Sequence, residues 1–503
     1  MKNKILFLSL AAGLMLTLTS CDGFLNVKPS TSKESGKSMS TVSDAQVALN
    51  GTYRRLTSSN YYGRRMLTYG DMKGGDFGVP TLGISDDALY TFAHEKDRNN
   101  YYSFWATLYD VILQSNNILT NIANGNVITS STAEATTLND IKGQALMIRA
   151  LAHFDLCRLY GYPYLKDNGA SWGVPVVTSI LDPFAKPVRN TVAEVYTQII
   201  LDLNAAIPLL PTAKRLGNMN QWAAKALLAR VYLYKGDWTN AYNTAKNVIE
   251  SGGYTLYSNT NWVGSWAQPN GSESIFELLI VPDESDLGNS SPRSFYRPRN
   301  DVRTDLGAAV ASDIFLNMFK LYPNDVRWGM LGLDEFGNNK TPSRYIANRM
   351  GWMKKFEGDG KNPVSAVNIK MFRLSEVYLI GAEAAAKLPT PDLTNAVKWL
   401  NDIRKRNPDL APLTINDPVN TIIAEVMLER RKELIGEGHT YFDILRTGGT
   451  IAYDGAIFFG EPSVPANGRG TTVNWNYTKC VLPIPIEEIN ANPGIGQQQN
   501  PGY

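Results

Sequence analysis

The side chains of this 503-residue chain best suited to binding chemistry are its rings, 17 Phe, 10 Trp and 25 Tyr. A saccharide offers C–H faces that lie flat on aromatic rings and hydroxyl edges that need directed donors and acceptors. The pattern to seek is therefore a loop Trp or Tyr flanked by Asn, Gln, Asp or Arg. Trp105, Trp222, Trp238 and Trp399 fall in helical patterns and are assigned to packing. Trp172, Trp262, Trp266, Trp328, Trp352 and Trp475 lie in loop-like segments. Among these, Trp262 and Trp266 alternate with Asn259, Asn261, Gln268 and Asn270, and Phe295-Tyr296-Arg297 follows in a Pro-rich stretch. Trp262, Trp266, Tyr296 and Arg297 are thus the leading candidates for a glycan platform, with the alternative that Trp266 anchors its loop to the Ile275-Phe276 strand. Trp352 precedes Lys354-Lys355-Phe356, which reads as a strand with the ring either in the core or on the surface. Asp71 and Asp76 flank a Gly-Gly pair; they could accept from sugar hydroxyls but suit a backbone turn or cap better.

Carboxylates raise a second chemistry, glycoside hydrolysis, which needs two carboxyl groups flanking the scissile bond. Glu429, Glu433 and Glu437 are four apart. That spacing puts them on one helix face among Arg430, Arg431 and Lys432, the pattern of a salt-bridged helix surface. His439, Asp443 and Arg446 read as a structural polar network. No nucleophile elbow, phosphate loop or zinc motif is present, and His94, His153 and His439 are dispersed. The chain is therefore read as a non-enzyme. No cofactor is expected; oxygen ligands for structural calcium follow no spacing rule outside the EF-hand type, so calcium stays open. Cys157 lies on a helical pattern and Cys480 in an apolar run, so both are expected as buried free thiols.

The elements that must position these residues are mainly helices. Apolar residues recur at helical spacing over 102–122 and 141–160. Leu228, Tyr232 and Gly236 step by four into Asp237-Trp238, and Ala241, Ala245 and Ile249 continue the pattern. This ladder resembles a tetratricopeptide repeat, in which small residues let two antiparallel helices approach and the Gly-Asp pair makes the turn. A weaker copy runs through Tyr378, Ala382 and Ala385, then Ala396, Leu400 and Ile403. Helical segments are expected at about 102–122, 141–160, 192–252, 371–405 and 420–446. The intervening stretches 57–100, 161–190, 253–300, 321–368 and 447–479 are long enough to be functional. Short strands are expected at 274–278 and 479–485. The fold class is mainly α, a tetratricopeptide-like helical scaffold carrying a layer of long loops and short strands.

Lys+Arg 49 against Asp+Glu 47, with 19 % charged residues, gives no basic face for nucleic acid, and 44 % apolar content excludes disorder. Lys2 and Lys4 followed by the uncharged run Ile5 to Leu18 read as a secretory signal, too short to span a membrane. Leu18-Thr19-Ser20-Cys21 resembles the bacterial lipobox, so residues 1–20 are expected to be removed and Cys21 lipidated. Residues 21–43 are then the lipidated cysteine and a flexible tether, and 44–503 a single body.

The order of motifs carries a specific resemblance. It includes Cys21-Asp22-Gly23-Phe24-Leu25, Asn50-Gly51-Thr52-Tyr53, Arg149-Ala150-Leu151-Ala152-His153-Phe154, Phe372-Arg373-Leu374-Ser375-Glu376, Glu429-Arg430-Arg431-Lys432-Glu433-Leu434 and Phe442-Asp443-Ile444-Leu445-Arg446. The ending Leu482-Pro483-Ile484-Pro485, Asn492-Pro493 and Gln499-Asn500-Pro501-Gly502-Tyr503 completes it. Nearly the whole mature chain thus resembles the SusD/RagB outer-membrane lipoproteins. The resemblance implies a surface-exposed, lipid-anchored protein of the cell outer membrane, which captures oligosaccharides for a SusC-like TonB-dependent transporter. The repeats would face the transporter and the loop layer would hold the ligand. It also implies a ligand aromatic just before the Trp105 helix, which adds Phe92, Arg98 and Asn99 to the candidates. Some members take peptides, so a peptide-capturing or purely scaffolding lid is the alternative.

Overall fold

The computed structural model describes residues 39–78, 92, 94–97, 102–281, 287–297, 307–333, 350–358, 367–452 and 473–503. The expected leader, Cys21, Arg98 and Asn99 lie outside the described residues, as does the side chain of Trp352.

Helices dominate: α1 (Val42–Leu56), α2 (Arg65–Lys73), α3 (Tyr102–Ala123), α4 (Thr132–Tyr160), α5 (Val192–Ala206), α6 (Gln221–Lys235), α7 (Trp238–Ser251), α8 (Leu374–Ala386), α9 (Leu393–Arg404), α10 (Val419–Glu433) and α11 (Thr440–Arg446). Their starts are locally encoded. Thr41 and Thr191 form capping boxes with Asp44 and Glu194, and Ser131, Asn220, Asp237 and Asp392 each accept from the third backbone N–H of the helix they cap. From α3 to α10 each helix packs on the next in chain order, as in a helical-repeat scaffold. Gly236, at φ +76, ends α6 in the left-handed conformation open to glycine and passes the chain to the Asp237 cap of α7. α4 is buried on every side from Ile141 onward, so it forms the centre of the scaffold.

Among the described residues six short strands make three antiparallel pairs. β1 (Phe77–Gly78) pairs with β3 (Val310–Ala311), β2 (Ser274–Leu278) with β6 (Ile369–Arg373), and β4 (Leu331–Leu333) with β5 (Met350–Met353). β3 also packs on β5, and β5 on a short helix, Pro292–Tyr296. Segments remote in sequence therefore meet in these pairs, and β1, β3, β4 and β5 pack together.

Several expectations need correction. α4 begins nine residues before 141, because its first turns are exposed and polar and carry no apolar stripe. The span 420–446 is two helices, parted by a Gly436-Glu437-Gly438 turn. Residues 479–485 form no strand: Thr478–Cys480 is a 3-10 turn, and Pro483 and Pro485 remove ladder donors from the extended run that follows. Residues 39–43, read as the end of the tether, belong to the body, since Met39 is buried and Ile128 N–H donates to the Ser40 carbonyl. Cys157 and Cys480 are free and buried as expected, and burial pushes both thiols up to about 12.

Candidate functional site

Where α10, α11 and α2 meet the strands, a dense frame of charged side chains is buried and paired. Arg327 binds Asp325 and Glu429, each at 2.7 Å; Arg373 binds Glu273 at 2.6 Å, Glu437 at 2.7 Å and Glu433 at 3.1 Å; Arg406 binds Glu273 at 2.9 Å. A neighbouring set links Arg230 to Glu376 at 2.5 Å, Arg430 to Asp443 at 2.9 Å, and Arg446 to Glu383 at 2.6 Å. Although burial opposes the charged form, the guanidiniums of Arg406, Arg373 and Arg327 hold Glu433 down to about 2. Such pairs cost desolvation, which their charge-assisted hydrogen bonds offset, so they fix geometry more than they add stability.

The expected platform residues belong to this frame. Trp262 is fully buried and its Nε1 donates to Glu433 Oε1 at 3.1 Å. Trp266, also buried, meets Trp262 edge-on at 5.9 Å and has the Lys355 ammonium 4.1 Å and the Arg373 guanidinium 4.9 Å from its ring. Burial lowers Lys355 to about 8 even with Glu437 beside it. Tyr296 is buried between Phe77 and Phe356 and donates to Asp71 Oδ2 at 2.9 Å; the buried Arg297 pairs with Glu357 at 2.7 Å. Phe92 is buried under the Lys73 ammonium, 3.8 Å from its ring. The expectation that Trp262, Trp266, Tyr296, Arg297 and Phe92 form an exposed platform is therefore corrected: they brace the layer from beneath. Asn261, Gln268 and Asn270 beside Trp262 and Trp266 are exposed, while the two rings turn inward to partners far along the chain. Trp352 lies on β5 opposite Gly332.

Asp71 and Asp76 staple elements together. Asp71 accepts from Tyr296 and from Gly438 N–H, and Asp76 from Arg431 and Thr440. Burial, and then repulsion from Asp76, holds the Asp71 carboxyl well above the usual range. Glu429 and Glu433 are buried and Glu437 is half-buried, not on the salt-bridged surface expected from their spacing, and their partners are mostly remote arginines. The expected network at His439, Asp443 and Arg446 takes a related form: Arg446 binds Asp443 at 2.8 Å and Glu383 beyond it. No group of three His, Cys, Asp or Glu is placed to hold a metal ion among the described residues.

Residues 23–233 match the family described as "Starch-binding associating with outer membrane", and residues 238–503 match the SusD family. The chain belongs to the SusD family. A SusD superfamily protein of Bacteroides thetaiotaomicron superposes with TM-score 0.83 at 36 % identity, over 92 % of this chain and 100 % of that one. SusD-like protein P2 of Formosa agariphila is 26 % identical over 100 % of both chains. A laminarin binding SusD-like protein shares the fold, with TM-score 0.71 at 22 % identity over 92 % of this chain and 99 % of that one.

One structural residue of this SusD-family chain escaped the sequence reading altogether. Arg189, buried and without a carboxylate, ties the 172–190 loop to the chain end: it donates to the carbonyls of Gly173, Tyr160, Trp172 and Gln498 and to Asn500 Oδ1. On that loop Trp172, Ile180, Leu181, Phe184 and Val188 stand exposed. The Pro-Val-Arg-Asn stretch offered no signal for a clamp, because its acceptors are main-chain carbonyls invisible to side-chain pattern.

Proposed function

We propose that this protein is a lipid-anchored receptor on the outer face of the outer membrane that captures oligosaccharides. It passes them, without chemistry, to a SusC-like TonB-dependent transporter. The observation that carries this reading is the family match across both halves of the chain, whose N-terminal part is described as starch-binding and outer-membrane associated. Anchoring is assigned to Cys21; among the described residues no helix is long and apolar enough to cross a membrane. The carboxylates a hydrolase would use are held by arginine or lysine, Glu429, Glu433 and Asp443 in burial and Glu437 half-buried, which supports a binding role. Arg98, Asn99 and Trp352 remain proposed ligand contacts from the loop layer.

The test uses the soluble body, Asp22 to Tyr503, run through native gels containing amylopectin, laminarin, xylan or pectin, with reducing-sugar release measured alongside. Retardation by one polysaccharide without new reducing ends is expected; release dependent on Glu433 or Asp443 would make it a hydrolase. A second reading, a lid working through protein contacts alone, is favoured by the exposed apolar strip from Trp172 to Val188 on its Arg189-clamped loop. Under it, no sugar retards the body, and Phe184→Asp abolishes co-purification with the barrel.

A further inference from the structure

A cleft of about 360 Å³ opens between α1 and the chain leaving β2. One wall is a single stripe of α1, Asn50, Tyr53, Arg54 and Thr57, at the i, i+3, i+4, i+7 spacing that aligns side chains along a helix. The facing wall is the extended run after β2. Its exposure alternates, with Leu278 1 %, Leu279 39 %, Ile280 7 % and Val281 43 % exposed, so Leu279 and Val281 present bare aliphatic surface while their neighbours enter the core. Gly217 and Asn218 close one end.

The two walls differ in chemistry. The described polar groups are two carboxamides (Asn50, Asn218), two hydroxyls (Tyr53, Thr57) and one guanidinium (Arg54). Arg54 already donates to Thr57 Oγ1 at 3.0 Å. The Tyr53 hydroxyl is fully used, donating to Gln144 Oε1 at 2.6 Å and accepting from Met219 N–H at 2.9 Å, so its ring is fixed as part of the wall. Asn50 accepts from Gln46 at 2.9 Å on the exposed helix face. A carboxamide pairs a donor with an acceptor a short step apart and so matches vicinal hydroxyls, each of which also donates and accepts. The opposite wall offers the aliphatic surface that a sugar C–H face can cover. Both the volume and the mixture of apolar lining with a few convergent polar groups suit a small-molecule site.

We propose that this cleft is a carbohydrate-binding site for one or two residues of an oligosaccharide, with its C–H face on Leu279 and Val281 and its hydroxyls toward Asn50 and Asn218. The assignment rests on the receptor reading above for its ligand class. It is separate from the platform residues the sequence singled out, none of which lines the cleft.

The test uses the soluble body and the same polysaccharide gels, comparing wild type with Asn218→Ala, which removes one amide from a half-buried position, and Leu279→Arg, which fills the cleft. Thermal melts establish that each variant is folded. Asn218→Ala is expected to weaken retardation about threefold to tenfold, as for one or two lost hydrogen bonds, and Leu279→Arg to abolish it. If the wild type is retarded and both folded variants match it, the cleft assignment is overturned while the receptor reading stands. If no polysaccharide retards the wild type, the receptor reading falls and the assignment with it. Calorimetric binding of a peptide pool that Leu279→Arg removes, with sugar retardation unchanged, would make the cleft a peptide site and overturn the proposal. Should Leu279→Arg fail to fold, Asn218→Ala alone decides.

Discussion

At the residue scale the molecule depends on polar groups held in one ionisation state. All three histidines of the sequence are buried, and burial is the main force lowering the pKa of each. His153 is lowered to about 4. Its geometry agrees: Nε2 accepts from Val177 N–H at 3.2 Å, leaving Nδ1 to carry the proton toward the Arg149 carbonyl at 3.0 Å, which is the neutral tautomer. An unfolded histidine binds its proton near pH 6.5, so between there and pH 4 the unfolded chain holds a proton the fold refuses. Stability from His153 is complete above that window and falls as pH drops through it, by up to about 1.4 kcal/mol per pH unit. Asp71, whose carboxyl is raised, acts in the opposite sense, so the histidine is best isolated by difference. The denaturation midpoints of wild type and His153→Gln should converge from pH 7.5 to pH 4.5; parallel profiles would show that His153 does not titrate in this way. The same scale explains why the ring sites were illegible. Trp262 has the amide-rich surroundings of an exposed platform, yet its partner Glu433 lies 171 residues away, and no local pattern reports a contact at that separation.

At the scale of elements the sequence was far more informative, because a helix advertises its buried face within one or two turns. The α6–α7 repeat could be read from its small-residue ladder and its Gly-Asp turn, and α8–α9 from a fainter version of the same ladder. The strands are two to five residues long and pair across large separations, β1 with β3 and β2 with β6, so only β2, with its alternating Ile275 and Phe276, was legible. The ladder makes a quantitative prediction at Gly381. A Cβ there would sit 2.9 Å from Trp399 Cε3 and 3.0 Å from Cζ3, since α8 and α9 approach closely at that point. Alanine would add about 1 kcal/mol of helix propensity, whereas overpacking a rigid indole costs about 1–3 kcal/mol. Gly381→Ala is expected to lower the thermal midpoint, and Trp399→Leu in the same chain to recover part of the loss. A double-mutant cycle that adds without coupling would place the cost elsewhere.

At the scale of the whole molecule the question is what ties the described helices and strands to the end of the chain. From α3 to α10 the helices pack serially, each on the next, an arrangement that by itself would let its far end fray independently. Arg189 closes the arrangement. Its donors reach Gly173 O at 2.6 Å, Tyr160 O at 2.8 Å and Trp172 O at 2.9 Å on one side, and Gln498 O at 2.6 Å and Asn500 Oδ1 at 2.9 Å on the other, so all five N–H groups are used. Asn500 in turn donates to Tyr160 O at 2.8 Å and Leu482 O at 2.7 Å, and Asn492 to Pro187 O at 2.7 Å. The last residues thus bind the end of the central helix α4, and the clamp is electrically uncompensated: burial lowers the guanidinium to about 10. Replacing Arg189 by Met would strand several buried carbonyls, each costing about 1–3 kcal/mol, and Lys could satisfy at most three of the five contacts. Arg189→Met, Arg189→Lys and deletion of Gln498–Tyr503 should therefore lower the denaturation midpoint together and speed amide hydrogen exchange across residues 172–190. A tail deletion that leaves both readouts unchanged would show the chain end to be an appendage, and the clamp to serve only the 172–190 loop.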